Sequence, residues 1–254
     1  MPTFIDQALI VFPGERTAKT GIRFDHGKVA AIGADAARPD DTVIKANGRL
    51  LTPGLVDLHI HGIQTFRFDA GPDELLAAAG CFAKFGTTTI LPTLVPKKDA
   101  GLLERISALV EALPKARGVS MPGLHLEGPF TALSGAGCDV VPGDLALLDE
   151  MLAAGQGRIR AMSLSPDTPN ILPVIEHLRE RGVASFVTHT RATLAQAQAA
   201  IAAGATHATH FYDVFPIPPE SDPGVRPLGA VEAYLADPDA TVDFIADGCH
   251  VHPL

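Results

Sequence analysis

From Gly54 onward, short apolar stretches alternate with stretches of helical pattern, and this alternation restricts the fold more than any other feature of the chain. One helical stretch covers 71–86, one at 143–155 has Asp144 as its expected N-cap, and an alanine-rich one ends at Gly204. Strands that alternate with helices at this spacing predict a parallel sheet covered by helices. The strands are predicted at 54–61, 86–94, 119–128, 159–165, 183–189, 205–213 and 241–247.

Several of these strands end in polar residues. In a (β/α)₈ TIM-type barrel, the active site is built from the carboxyl ends of the strands, whereas a doubly wound sheet concentrates its chemistry at one switch point. Polar residues at so many strand ends therefore favour the α/β barrel. Residues 54–254 are predicted to form this barrel without its eighth unit, because the chain stops at Leu254 directly after the seventh candidate strand. Residues 1–53 contain short strands broken by turns such as "DHG" and form a separate small β unit.

The polar strand ends have the composition of a metal site. His59 and His61 are two residues apart on a strand, so their side chains point the same way. A catalytic zinc site commonly takes three His or carboxylate ligands and leaves a position for water. Glu127, His189 and His210 can supply this set from three separate strand ends, and His59 and His61 either hold a second ion or complete the first site. Four further histidines are left out of the site as structural: His26, His125, His177 and His207.

Composition excludes some classes of partner. With 20 Lys and Arg against 29 Asp and Glu, the formal charge is −9, which disfavours nucleic acid and anionic membranes as partners. The three scattered cysteines are typical of a reducing compartment. No apolar run approaches the roughly 18 residues that span a bilayer, and the N-terminus lacks the pattern of a signal peptide. We therefore expect a cytoplasmic protein that acts on a small molecule.

Four motifs carry a resemblance to a known family. The stretch "PGLVDLHIHG" resembles the first strand of the amidohydrolase superfamily, while "GLHLEGPF", "ATHATHFYDVFP" and "DFIADGCHVHP" resemble the N-acetylglucosamine-6-phosphate deacetylases. This resemblance implies a hydrolase of amino sugar metabolism with one or two divalent ions, zinc or iron, in a TIM-type barrel. It also implies a small β-sandwich begun by residues 1–53, and a homodimer. The implied reaction hydrolyses the acetamide of an N-acetylated amino sugar, above all N-acetylglucosamine 6-phosphate, to acetate and the free amine.

The resemblance also implies roles for individual residues. Glu127, His189 and His210 match the main metal ligands of the family, and His59 and His61 match a pair that supports a second ion. The family's general acid/base is an Asp at the end of the eighth strand, which is expected beyond Leu254, and Asp247 is a weak substitute. The catalytic residue therefore stays unassigned. The residues that match the substrate side of the site are His250, Asp213, Gly128 and Arg226.

The departures from the family pattern fall on the sugar-phosphate side of the site. The segment after "HLEGPF" lacks the expected His, Ser221-Asp222 stand where an Arg-Glu pair usually precedes Pro-Gly, and Asp213 replaces an Asn. A buried phosphate without a paired cation is costly, and Arg191 and Arg226 are the available substitutes. Two alternatives stay open. The first is another amidohydrolase that acts on a cyclic amide, a nucleobase or an N-acyl amino acid, and the second is an inactive truncated chain.

Overall fold

The computed structural model describes residues 1–14, 16–219 and 223–252, and the chain divides into two compact units, Met1–Leu55 and Val56–Leu254. The first unit is a five-stranded sheet in the order β3-β2-β1-β4, in which β5 also pairs with β1. Its β1 runs antiparallel to β2 and parallel to β4. The strands are β1 (Thr3–Val11), β2 (Thr17–Asp25), β3 (Lys28–Ile32), β4 (Thr42–Lys45) and β5 (Leu50–Leu51).

The hairpin between β2 and β3 follows the turn signal in the sequence. His26 and Gly27 connect the two strands with φ angles of +48° and +73°. Positive φ at both central residues is the geometry of a turn whose twist matches that of the flanking strands. The predicted hairpin is therefore confirmed. The unit has a small apolar core of its own, formed by Ala8, Ile10 and Ile22.

The second unit is built on a seven-stranded sheet in the order β14-β13-β12-β11-β10-β9-β6. All neighbours from β9 to β14 pair in parallel, and a short β7-β8 hairpin lies outside this sheet. This is the strand arrangement of a TIM-type barrel, so the predicted fold class is confirmed. The strands are β6 (Leu55–Ile60), β7 (Gly62–Ile63), β8 (Phe66–Arg67), β9 (Thr87–Leu94), β10 (Leu124–Glu127), β11 (Ile159–Leu164), β12 (Ala184–Val187), β13 (His207–Ala208) and β14 (Thr241–Val242).

One helix lies between each pair of consecutive strands from β8 to β14. In the described part of the chain, none of these helices is long and apolar enough to cross a lipid bilayer. Their buried faces pack with the sheet into one continuous core, which includes Leu109 and Leu178 from helices and Leu126 and Met162 from strands. The helices are α1 (Pro72–Ala79), α2 (Leu102–Ala112), α3 (Leu145–Ala154), α4 (Ile171–Glu180), α5 (Leu194–Ala203) and α6 (Ala230–Ala236).

Several elements are shorter than the sequence predicts, and the strand expected over 119–128 contains only Leu124–Glu127. The helix expected over 71–86 ends at Ala79 and is followed by a separate 3₁₀ turn, Phe82–Phe85, since Gly80 weakens the helix between them. The strands expected over 205–213 and 241–247 each contain only two residues. The first of them ends early because the N–H of His210 donates to the Asp243 carboxylate instead of a neighbouring strand.

Helix α3 begins where the sequence predicts, with Asp144 as its N-cap. The Asp144 carboxylate accepts hydrogen bonds from the backbone N–H groups of Ala146 (2.9 Å) and Leu147 (3.2 Å). We expect Asp144→Ala to lower the free energy of unfolding by about 1 kcal/mol, measured by urea denaturation. Asp144→Asn keeps an acceptor and is the matched control. Equal stability of Asp144→Ala and the parent protein would contradict the capping role.

Candidate metal centre

Four imidazole rings surround the carboxylate of Glu127, which is the last residue of β10. Oε1 of Glu127 lies 3.1 Å from His189 Nε2 and 3.2 Å from His210 Nε2. Oε2 lies 3.1 Å from His61 Nε2 and 3.4 Å from His59 Nε2. The structure thus brings together all five residues that the sequence suggested as metal ligands, from the ends of β6, β10, β12 and β13.

The carboxylate is buried, and one of its oxygens lacks a hydrogen bond. The Glu127 side chain is only 2% exposed, and among the described residues Oε2 has no partner with good hydrogen-bond geometry, although two ring nitrogens are near. A buried carboxylate oxygen without a partner is costly in free energy. Burial by itself raises the pKa of Glu127, but the four surrounding imidazoles, His189 and His210 first, outweigh it and hold that pKa below its ordinary value. The carboxylate is therefore ionised, as a ligand must be.

Two of the ring-bearing residues have a left-handed backbone. His189 has φ of +47° and His210 has φ of +35°. Such angles are uncommon for residues other than glycine, and they persist only where the surroundings enforce them. At His189, the Ser165 hydroxyl lies 2.9 Å from the backbone carbonyl. At His210, the Asp243 carboxylate accepts the backbone N–H over 2.6 Å. These contacts turn both rings toward Glu127.

Backbone carbonyls lie beside the Nδ1 atoms of these two rings. His189 Nδ1 lies 3.3 Å from the carbonyl oxygen of Leu133, and His210 Nδ1 lies 3.2 Å from that of Asp213. A carbonyl oxygen only accepts, so it favours a proton on Nδ1. The Glu127 carboxylate beside each Nε2 also only accepts, so a bound ion would replace a proton at Nε2 and take its lone pair. This is the usual arrangement of metal-binding histidines.

For His59, a hydroxyl and a carboxylate together supply the hydrogen-bond acceptor at Nδ1. His59 Nδ1 lies 2.8 Å from Thr209 Oγ1, and that hydroxyl lies 3.0 and 3.1 Å from the two carboxylate oxygens of Asp243. Because Thr209 gives its only proton to Asp243, it must accept from His59 Nδ1. His59 Nε2 is then free to bind an ion. Asp243 also accepts from His207 Nε2 over 2.9 Å.

Sequence reasoning missed Thr209 and Asp243. The sequence analysis placed Asp243 inside a strand and treated Asp247 as the strand end, whereas β14 ends at Val242 and Asp243 follows it directly. Burial raises the pKa of Asp243. Its hydrogen bonds to His207 and His210 have the larger effect and hold the pKa below its ordinary value. The position one residue beyond a short strand was the signal that could have identified it.

His125 lies near the centre but does not belong to it. Its Nδ1 lies 2.8 Å from the carbonyl oxygen of Leu58, and its Nε2 lies 2.7 Å from the Ser163 hydroxyl, so both ring nitrogens are used. Full burial, together with the nearby His59, lowers the pKa of His125 to about 3. It is a neutral core residue, as expected from the sequence.

The residues suggested for the substrate side have other contacts. The backbone carbonyl oxygen of Asp213 lies 3.2 Å from His210 Nδ1. Gly128 has φ of +91°, and its N–H donates to the carbonyl oxygen of Ser163. His250 Nδ1 lies 2.7 Å from the Asp247 carboxylate. Arg226 is exposed and forms a 3.2 Å ion pair with Glu232. Ser221 and Asp222, where the family pattern has a cation, lie outside the described residues.

Asp247 is not at a strand end, which corrects the sequence analysis. Its carboxylate accepts the backbone N–H groups of Cys249 and His250 as well as the His250 ring. These bonds lower the pKa of Asp247 to about 2. All three hydrogen bonds of this carboxylate are to residues of its own turn. It is therefore a poor candidate for a general acid/base, as the sequence analysis also judged.

The chain was compared with known proteins. No family model matches it. N-acetylglucosamine-6-phosphate deacetylase of Bacillus subtilis is 29% identical over 264 residues, which cover 98% of this chain and 65% of that relative. N-acetylgalactosamine-6-phosphate deacetylase of Escherichia coli O157:H7 is 30% identical over 240 residues, which cover 91% of this chain and 61% of that relative. The chain thus spans a little under two thirds of the length of these curated relatives.

Solved structures give the same result. The N-acetyl-D-glucosamine-6-phosphate deacetylase of Mycobacterium smegmatis matches with a TM-score of 0.83 and 30% identity, over 100% of this chain and 65% of that one. The enzyme of Pasteurella multocida matches with a TM-score of 0.86 and 25% identity, over 99% of this chain and 66% of that one. The proteins named above, which this chain matches along nearly its whole length, are deacetylases of N-acetylglucosamine 6-phosphate and N-acetylgalactosamine 6-phosphate, in agreement with the resemblance of its motifs.

The hydrogen bond between Thr209 and His59 leads to a test. We expect Thr209→Val to weaken binding of a divalent ion by roughly ten- to hundredfold, because valine cannot accept from His59 Nδ1 and the ring loses its orientation. Metal affinity can be measured by competition with a chelator. Thr209→Ser keeps the hydroxyl and is the control. Parent-like affinity in Thr209→Val would show that this bond does not orient the ring.

Proposed function

We propose that this protein hydrolyses the acetamide of an N-acetylated amino sugar 6-phosphate to acetate and the free amine. The observation that carries the proposal is the group of four imidazoles around the buried Glu127 carboxylate, at the strand ends where a TIM-type barrel builds its active site. The matched relatives, named as deacetylases of N-acetylglucosamine 6-phosphate and N-acetylgalactosamine 6-phosphate, support this substrate class.

The residues of the centre fit one or two divalent ions, and we propose zinc or iron. Imidazole and carboxylate are donors that suit both metals, and the unpartnered Glu127 Oε2 is the kind of buried atom that a cation would satisfy. Glu127, His59 and His210 form one group whose ligand atoms lie within 4.8 Å of one another. A bound ion would act as a Lewis acid, lowering the pKa of a water molecule to roughly 7 and polarising the amide carbonyl.

The chain's own residues prepare the centre for this chemistry. The acceptors at Nδ1 favour a lone pair on Nε2 of His59, His189 and His210. The enclosed Glu127 carboxylate stays ionised and gives the site its negative charge. These contacts hold the rings in place, and such preorganisation is what makes an electrostatic site effective.

A cavity of about 160 Å³, lined in part by the residue that follows His189, is a candidate for the sugar phosphate. It is lined by Thr190, Tyr212, Phe215 and Arg226, among others. Thr190 follows His189 directly, and Tyr212 is 54% exposed. An aromatic face suits the apolar face of a sugar ring, and the Arg226 guanidinium suits a phosphate. We propose that Arg226 supplies the cation that the family pattern places elsewhere.

The remaining assignments are also proposals. The free thiols of Cys81, Cys138 and Cys249 support a reducing, cytoplasmic location. The homodimer and the Asp that would donate a proton to the leaving amine come from the resemblance alone.

Acetate release tests the reaction. The metal-loaded protein should release acetate from N-acetylglucosamine 6-phosphate or N-acetylgalactosamine 6-phosphate, and less from the unphosphorylated sugars. A cyclic amide and an N-acyl amino acid serve as the comparison substrates, and turnover of these alone would support the other amidohydrolase activity instead. No release from any substrate, with the metal bound, would support an inactive chain.

Substitution of Glu127 tests the link between metal and activity. We expect Glu127→Gln to reduce bound metal and turnover together, because a neutral amide is a poorer ligand than a carboxylate. The loss of affinity should exceed the roughly tenfold effect of removing an outer hydrogen-bond partner. Elemental analysis measures the metal, and Glu111→Gln, on the exposed face of α2, is the control. Full metal content in Glu127→Gln would remove Glu127 from the ligand set.

A further inference from the structure

The loop that follows β10 lies against the candidate metal centre. The carbonyl oxygen of Leu133 accepts the proton of His189 Nδ1 over 3.3 Å. Two residues later, a Cβ added to Gly135 would lie 1.9 Å from the Cε1 atom of the same ring, so only glycine fits there. The loop thus packs directly on a proposed metal ligand. It is also the segment in which the family pattern has a histidine that this chain lacks.

The same loop places a thiol beside two proposed ligands. Cys138 is 3% exposed. Its Sγ, a carboxylate oxygen of Glu127 and a ring nitrogen of His189 all lie within 4.8 Å of one another. The thiol now donates only a long contact of 3.7 Å, to the backbone carbonyl of Glu127. Glu127, Cys138 and His189 therefore form a second buried group with the composition of a metal site, next to the group of Glu127, His59 and His210.

The unpartnered oxygen of Glu127 is an independent sign that a cation belongs in this centre. Glu127 is shared by both groups, its side chain is 2% exposed, and its Oε2, beside His59 and His61, has no hydrogen-bond partner among the described residues. Oε1 lies beside His189, so the two oxygens of this carboxylate face two neighbouring ligand positions. The other two cysteines have different surroundings. Cys81 Sγ contacts Gln64 and Ala77, and Cys249 is exposed.

We propose that Cys138 is a further ligand of the metal centre, on the side of Glu127 and His189. The proposal rests on the proposed function in so far as it requires the centre to bind a divalent ion. On binding, the S–H bond breaks, a sulfur–metal bond forms, and the proton passes to solvent, with no change in oxidation state. A thiolate in the set gives the centre a preference for zinc, cobalt or iron over magnesium and manganese.

Cobalt substitution tests the assignment. A thiolate bound to Co²⁺ produces a sulfur-to-metal charge-transfer band in the near ultraviolet, which imidazole and carboxylate ligands do not produce. We expect the band in the cobalt-loaded parent protein and in the matched controls Cys81→Ser and Cys249→Ser. We expect its loss in Cys138→Ser and Cys138→Ala. A band that persists in both Cys138 variants, or its absence from the cobalt-loaded parent, would overturn the proposal.

A second measurement needs no variant. X-ray absorption on the zinc-loaded parent protein should contain a zinc–sulfur distance of about 2.3 Å, in addition to the shorter bonds to nitrogen and oxygen. Bound zinc with a shell of nitrogen and oxygen alone would overturn the role of Cys138 and leave the deacetylase proposal intact. A parent protein that binds neither cobalt nor zinc would defeat both.

Discussion

The interaction on which the rest of this structure depends is the enclosure of the Glu127 carboxylate by four imidazole rings. A carboxylate removed from water is stable only where charges or hydrogen-bond donors replace the solvent. Here the replacement comes from β6, β12 and β13, strands far apart in sequence. A parallel sheet makes this arrangement feasible because it brings the carboxyl ends of all its strands to one edge. The buried carboxylate is thus the reason for gathering histidines at that edge.

The surroundings of these rings follow from the same requirement. A histidine can bind a cation only through an unprotonated nitrogen, so each ring needs an acceptor at the other nitrogen. The chain supplies carbonyl oxygens to His189 and His210, and a hydroxyl directed by Asp243 to His59. The left-handed backbone at His189 and His210 costs of order 1–3 kcal/mol at each site. Strain of this kind at two of the four ring-bearing residues agrees with a functional role for the centre.

Much of the fold could be predicted because local patterns determine it. The N-cap at Asp144, the hairpin at His26 and Gly27 and the alternation of strands with helices depend on neighbouring residues only. The errors arose where distant residues compete with local preference. Residues 205–213 have a strand-like pattern, but the strand ends at Ala208, and the N–H of His210 donates to the Asp243 side chain instead of a neighbouring strand. The helix predicted over 71–86 is too long because Gly80 lies within it and the helix ends at Ala79.

By itself, the sequence determined the class of fold and the five residues of the centre, Glu127 and its four histidines, because strand ends and residue types can be read along the chain. Only the tertiary structure decided which nitrogen of each ring faces inward, that Asp243 rather than Asp247 supports the centre, and that Cys138 lies beside Glu127 and His189. Each of these depends on contacts between residues from different strands and loops. Such contacts arise from packing, and residue spacing along the chain contains no record of them.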